Sequence, residues 1–238
     1  IEQLIYDSVK LRFRADVPVG INISGGIDSS ALLASVKTIL NKTENIRAFT
    51  FFTGNVSYDE TKWVSGMLEY VDCPLTKCLL KAADVPKMTK YLMSYHDEPF
   101  GGIPTIAYSN IFKASNGLGY KVLLDGQGAD ESWAGYDYYI NQSGNIVQGV
   151  KGSPMDPDIL DPDYASLGKP LSYIKPFNDP LLDLQYRDLF YTKLPRALRF
   201  NDRSSMMYGV ELREPFLDHE LVEICFSIPS KFKILNNQ

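Results

Sequence analysis

The sequence predicts an α/β domain, a parallel sheet flanked by helices, followed by a helical lobe. Three observations carry that prediction. Short apolar runs alternate with segments of helical period from the N-terminus to about residue 140. A glycine turn follows the first apolar run and opens directly into a helix, the order of a parallel strand–helix unit. The 238 residues are 45% hydrophobic and 22% charged, a globular composition that rules out bulk disorder.

Leu4, Ile5, Val9 and Phe13 recur at helical spacing, so residues 1–14 read as an amphipathic helix that Pro18 breaks. VPVGINIS (17–24) reads as a short buried strand, SGGIDSS (24–30) as a turn and ALLASVKTIL (31–40) as a helix. IRAFTFF (46–52) is a second strand. Ser57 and Glu60 form a capping-box pattern before a helix whose Trp63, Val64, Met67, Leu68 and Val71 share one face. LTKCLL (75–80) is a third strand, helices follow around 84–95 and 104–116, and KVLLDG (121–126) is a fourth strand. Residues 1–140 thus read as the α/β core. Residues 141–179, rich in Gly and Pro, read as a long loop or mobile lid. Residues 180–238 read as the helical lobe.

Charge narrows the function classes. Lys plus Arg is 24 and Asp plus Glu is 29, a net charge of −5, which argues against a general nucleic-acid binder. No apolar run approaches the roughly 18–20 residues that span a bilayer, and the first segment lacks the apolar stretch of a signal peptide. Cys73, Cys78 and Cys225 fit buried packing thiols in a reducing compartment, and a cytoplasmic location is expected. His96 and His219 lack metal-ligand spacing.

Two motifs carry chemistry. The first is Ser24-Gly25-Gly26-Ile27-Asp28-Ser29-Ser30, where a strand meets a helix. A helix N-terminus offers unpaired N–H groups to phosphate, glycines admit the anion, and the serines add hydroxyls. Asp28 would repel a phosphate, but it suits a divalent cation placed between the two. The alternative is a glycine turn with Ser and Asp as helix caps. The second motif, Asp125-Gly126-Gln127-Gly128-Ala129-Asp130-Glu131, follows the fourth strand. Ligands of open α/β sheets collect at strand carboxyl ends, so the two turns would share a pocket, with Asp28 and Asp130 on one Mg²⁺. A surface turn with acidic caps is the alternative.

The first motif is similar to the pyrophosphate loop of the N-type ATP pyrophosphatases. KVLLDGQGADESWAGYDYY, with its Gly135-Tyr136 pair, resembles the second nucleotide motif of the glutamine-dependent asparagine synthetases, usually G-E-G-x-D-E. LPRALRFNDRSSMMYGVELREPFLDHELVE (194–223) looks like that family's D-R-x-S-M and G-x-E-x-R-x-P-F-L-D segments. The resemblance implies an adenine nucleotide alpha hydrolase-like, Rossmann-like fold and ATP-dependent amide formation. A carboxylate, aspartate by family default, attacks the α-phosphorus of ATP, and ammonia then displaces AMP. It implies ATP and Mg²⁺ as ligands, with Asp28 and Asp130 on the metal. Ser24, Gly25, Gly26, Asp28, Ser29 and Ser30 would hold pyrophosphate. Ile23, Phe51, Asp125 and Gly126 would contact the nucleotide. Gln127 stands at the catalytic position, and Glu131, Arg203, Glu211 and Arg213 fall in motifs that could face the substrate.

Three departures qualify the resemblance. Gln127 stands where asparagine-forming members usually carry Glu, and an amide cannot accept a proton near neutral pH. The glutaminase half, with its nucleophilic Cys, is absent, so ammonia would come from a domain outside this chain. The family's phosphate-steadying Lys lies beyond the last residues, and Lys231 and Lys233 read as solvated rather than as substitutes. With no starting Met, the chain reads as a synthetase-domain fragment cut at both ends. Other readings stay open: amidation of a sugar acid or peptide carboxylate, another ATP pyrophosphatase (tRNA-thiolating, NAD- or GMP-forming), or a nucleotide-binding module without full catalysis. A thiolating enzyme is disfavoured by the lack of a Cys near the loop. A homodimer also stays open. Tyr136, Tyr138 and Tyr139 read as packing residues before substrate stackers, and Arg187, Lys193, Arg196 and Arg199 as a helix face paired with acids.

Overall fold

A computed structural model describes residues 1–40, 46–55, 59–140, 161–167 and 172–234. Ser57 of the expected capping box and most of the expected lid lie outside the described residues. The chain runs α1 (Glu2–Arg12), β1 (Val19–Asn22), α2 (Ile27–Leu40), β2 (Arg47–Phe52), α3 (Thr61–Val71), β3 (Leu75–Leu79), α4 (Val85–His96), α5 (Ile103–Gly117) and β4 (Val122–Leu124). Then come α6 (Ala129–Trp133), α7 (Asp137–Ile140), α8 (Pro162–Ser166), α9 (Pro180–Phe190), α10 (Lys193–Met206), β5 (Glu211–Arg213) and α11 (His219–Ser227).

The five strands form one sheet in the order β3-β2-β1-β4-β5, and every pair is parallel. The fold class is the expected one, a parallel sheet flanked by helices. Alternate strand residues feed opposite faces. Ile21, Ala48, Val122 and Leu124 pack with Val9 of α1, Leu32, Leu33 and Val36 of α2, and Val64 and Val71 of α3. Phe49 and Leu123 pack on the other face with Ile111 and Phe112 of α5. The order of connection reverses between β1 and β4, the switch point where such sheets leave a crevice at their carboxyl ends.

Three details depart from the sequence reading. The segment read as helical through residue 223 contributes β5, whose Leu212 pairs with Leu123. Helix α2 begins at Ile27 rather than 31, so Asp28, Ser29 and Ser30 form its first turn. Trp63 is 65% exposed and does not share the buried face of Val64 and Val71. The three cysteines are buried and free, as expected. Burial pushes the thiols of Cys78 and Cys225 up to about 11, so they stay protonated. Among the described residues no helix is long and apolar enough to cross a membrane.

Candidate active site

The first glycine loop is shaped by its serines. Ser29 Oγ donates to the Gly26 carbonyl at 3.1 Å and accepts from the Ser24 N–H at 3.2 Å, and the two hydroxyl oxygens lie 3.2 Å apart. Gly25 has φ +84°, and a β-carbon there would lie 3.0 Å from Trp63 Cβ, so the turn needs glycine. The loop delivers the chain into the first turn of α2, whose N–H groups have no partners within the helix.

The second loop leaves β4 beside it. Asp125 is buried, accepts from Asn22 Nδ2 at 3.2 Å and from the Gly126 N–H at 2.7 Å, and so ties the ends of β1 and β4 together. A β-carbon on Gly126 would come within 3.3 Å of the Ser29 nitrogen, so the loops pack directly against each other. Between them lies a pocket of about 170 Å³, lined by Ser24, Asp28, Ser29, Asp125, Gly126, Gln127 and Asp130 among others.

Its electrostatics suit a cation. Burial, then the charges of Asp130 and Glu131, push the Asp28 carboxyl up to about 7. Burial also raises Asp130, against the pull of Lys193. Glu131 is buried and raised, although it accepts from the Tyr136 hydroxyl at 2.7 Å. Two hard oxygen donors that repel each other beside a glycine loop at a helix N-terminus fit Mg²⁺, which takes one or two protein carboxylates and completes its shell with phosphate and water. Among the described residues no group of three or more His, Cys, Asp or Glu forms an all-protein metal cage. Beneath the loop, both carboxyl oxygens of Glu214 are buried without a regular hydrogen-bond partner among the described residues. Burial and Asp125 raise Glu214 well above the carboxylate range, while the Gln127 N–H facing it pulls the other way.

A larger cleft of about 550 Å³ opens beside this pocket and shares Tyr108, Gln127, Glu131 and Tyr136 with it. Its walls are helix stripes: Pro104, Thr105 and Tyr108 on α5, and Lys193, Arg196, Ala197, Phe200 and Asn201 on α10. The sequence reading missed both stripes, although their three-and-four spacing is visible in it. Lys193 lies 3.6 Å from the Tyr136 ring centre and faces Asp188, Glu131 and Asp130.

The site residues expected from sequence divide. Ser24, Asp28, Ser29, Asp125, Gly126, Gln127, Asp130 and Glu131 line the small pocket. Gly25, Gly26 and Ser30 shape the loop without lining it. Ile23 is buried in the core with its N–H on the Phe49 carbonyl, and Phe51 packs 6.4 Å from the Tyr108 ring. Arg203, Glu211 and Arg213 line neither cavity. Arg203 bonds the Tyr95 carbonyl and Asp97, whereas Arg213 bonds Glu211 and the carbonyls of Arg12 and Arg14, fastening α1 to β5. Tyr138 and Tyr139 are core residues bonded to Asp188, as expected, but Tyr136 reaches the site. Lys233 is not solvated: it donates to Gln185 Oε1 at 2.9 Å and to the Ser132 carbonyl at 3.3 Å.

A family model described as asparagine synthase matches residues 1–238. The chain belongs to the asparagine synthase family. Asparagine synthetase 3 (glutamine-hydrolyzing) of Bacillus subtilis strain 168 is 26% identical over 270 residues, which take in 100% of this chain and 43% of that protein. Asparagine synthetase 2 (glutamine-hydrolyzing) of the same organism is 25% identical over 252 residues, 95% of this chain and 33% of that one. The chain thus spans less than half the length of these two relatives. Among solved structures, a glutamine-dependent NAD+ synthetase from Acinetobacter baumannii in complex with adenosine diphosphate is similar at a TM-score of 0.41 and 15% identity, over 94% of this chain and 42% of that one.

Proposed function

We propose that this chain is the ATP-dependent, amide-forming part of a ligase of this family. One observation supports the reading above others: two glycine loops at neighbouring strand ends close on one pocket that holds Asp28 and Asp130 together. The Ser24–Ser29 loop and the first turn of α2 would bind the β- and γ-phosphates through N–H groups and hydroxyls. Asp28 and Asp130 would hold Mg²⁺, which when bound offsets phosphate charge. A substrate carboxylate would attack the α-phosphorus and break the bond to the β-phosphate, giving an acyl-adenylate and pyrophosphate. Ammonia would then attack the acyl carbon, the bond from that carbon to the bridging oxygen would break so that AMP leaves carrying one former carboxylate oxygen, and the nitrogen would lose a proton to give the amide.

Gln127 sits where the two cavities meet, so it would orient the reacting carboxylate or the incoming ammonia by hydrogen bonds, not by taking a proton. Tyr136 fixes Glu131 beside it. Ammonia would reach the site from a glutamine-hydrolysing domain outside this chain, as the names of the relatives suggest. Aspartate is the family default for the acid. The test is pyrophosphate release by the full-length protein with Mg–ATP, ammonium and a panel of carboxylic acids. Acid-dependent pyrophosphate and AMP in equal amounts support the reading; nucleotide binding without turnover of any acid would make the chain a binding module.

A further inference from the structure

We propose that the acid this site activates is larger than aspartate: a carboxylic acid with a ring-bearing apolar body and a second anionic group, seated in the cleft between α5 and α10. The proposal rests on the ligase reading above. Its first support is size and position. The cleft, about 550 Å³, joins the phosphate pocket at Gln127, so a carboxylate presented to an α-phosphorus there would carry the rest of its molecule into the cleft. A four-carbon acid would fill only a fraction of that space and leave its far end to water.

The cleft also offers apolar contact. Phe100 and Phe200 line it, and the buried His96 ring packs against both, with ring centres 5.2 Å and 6.0 Å away. His96 is anchored by Ser204 at 2.9 Å, so this wall is supported from behind. Gly101 lies against Phe200 so closely that a β-carbon would come within 3.0 Å of its ring. Aromatic walls of this kind stabilise ligand rings by burial and by edge or stacked contacts.

Among the described residues the cleft also carries a cation without a carboxylate partner. Lys193 is engaged with Tyr136 and the acids around it. Arg196, one turn further along α10, is exposed and has no carboxylate partner among the described residues. A guanidinium of this kind matches a carboxylate or similar anion in two parallel hydrogen bonds. An acid whose only charge is the reacting carboxylate would leave it unused.

Calorimetry on the full-length protein with Mg²⁺ and α,β-methylene-ATP tests this, using aspartate, benzylsuccinate and 3-phenylpropionate as probes. Benzylsuccinate should bind at least about tenfold more tightly than aspartate, because its ring buries on Phe100 and Phe200. Arg196→Gln should weaken benzylsuccinate about tenfold and leave 3-phenylpropionate, which lacks the second anion, unchanged. Phe200→Ala should weaken both ring-bearing acids. Aspartate binding as tightly as benzylsuccinate, no binding of benzylsuccinate, or indifference of benzylsuccinate to Arg196→Gln would each overturn the proposal. Binding with these variant effects but no pyrophosphate release when ATP replaces the analogue supports the acid site and overturns the ligase reading instead.

Discussion

Gly135 lies against Asp130 so tightly that a β-carbon at position 135 would overlap the carboxylate oxygen Oδ1. The glycine that follows α6 therefore fixes where the acid of α6 points, and the acid lines the small pocket between the two loops. This gives the Gly135-Tyr136 pair a physical reason: one residue makes room for Asp130, and the next bonds Glu131.

Gly135→Ala should displace the Asp130 carboxylate while sparing the sheet. Calorimetry of ATP binding in the presence of Mg²⁺ should show a loss of about tenfold, the scale of one charged contact. Unchanged affinity with a normal melting temperature would mean that Asp130 does not touch the bound metal–nucleotide.

Asp28→Asn should move stability and binding in opposite directions. Burial and neighbouring acids push the Asp28 carboxyl up to about 7, so the protonated form fits the unliganded fold. That contribution is complete below an unfolded value of about 4 and is lost as the pH rises through about 7. Asn stays neutral. Without ligand the variant should match wild type near pH 4 and melt at a higher temperature at pH 8, while Mg²⁺-dependent ATP binding weakens. Equal Mg²⁺ dependence in the two proteins would remove Asp28 from the metal site.

How far these residues could be read from sequence depends on their local chemistry. β1, β2 and β4 were legible as short apolar runs bounded by turn signals, and β3, Leu-Thr-Lys-Cys-Leu, from its apolar ends and its place in the strand–helix alternation. β5 was not: Glu-Leu-Arg is three residues long with two charged ends, and only its pairing with β4 makes it a strand. The start of α2 was read late because Gly, Asp and Ser are loop residues in isolation, yet at a helix N-terminus they are favoured. Asp28, Gln127 and Asp130 were legible because their loops are contiguous. The cleft walls were not, since residues 101–108 and 193–201 meet only in three dimensions. Glu214 gave no signal, because its burial follows from the turn after β5.

Glu214→Leu should stabilise the protein. A buried carboxyl without a regular partner costs more than an apolar side chain of similar size, and relief of about 1 kcal/mol would raise the melting temperature by about 2–4 °C. Differential scanning calorimetry at pH 8 checks it. A fall of several degrees would show that the carboxyl supports the Gln127 loop.

Gln127→Glu should slow the enzyme on its own acid. The new charge would stand beside Glu131 and the substrate carboxylate, and KM for the acid should rise about tenfold. Ammonia-dependent AMP production measures it. Robust asparagine synthesis from aspartate by the unmodified protein would show that Gln127 does not mark a changed substrate.

In the proposed reaction the pocket between the two loops activates a carboxylate by cleaving ATP between its α- and β-phosphates. Oxygen-18 tracing tests it most directly. The full-length protein is given Mg–ATP, ammonium and carboxyl-labelled acid, with aspartate and benzylsuccinate run separately, and AMP is analysed by mass spectrometry. One labelled oxygen is expected in each AMP formed, with pyrophosphate in equal amount. Unlabelled AMP, or ADP and inorganic phosphate in its place, would contradict it.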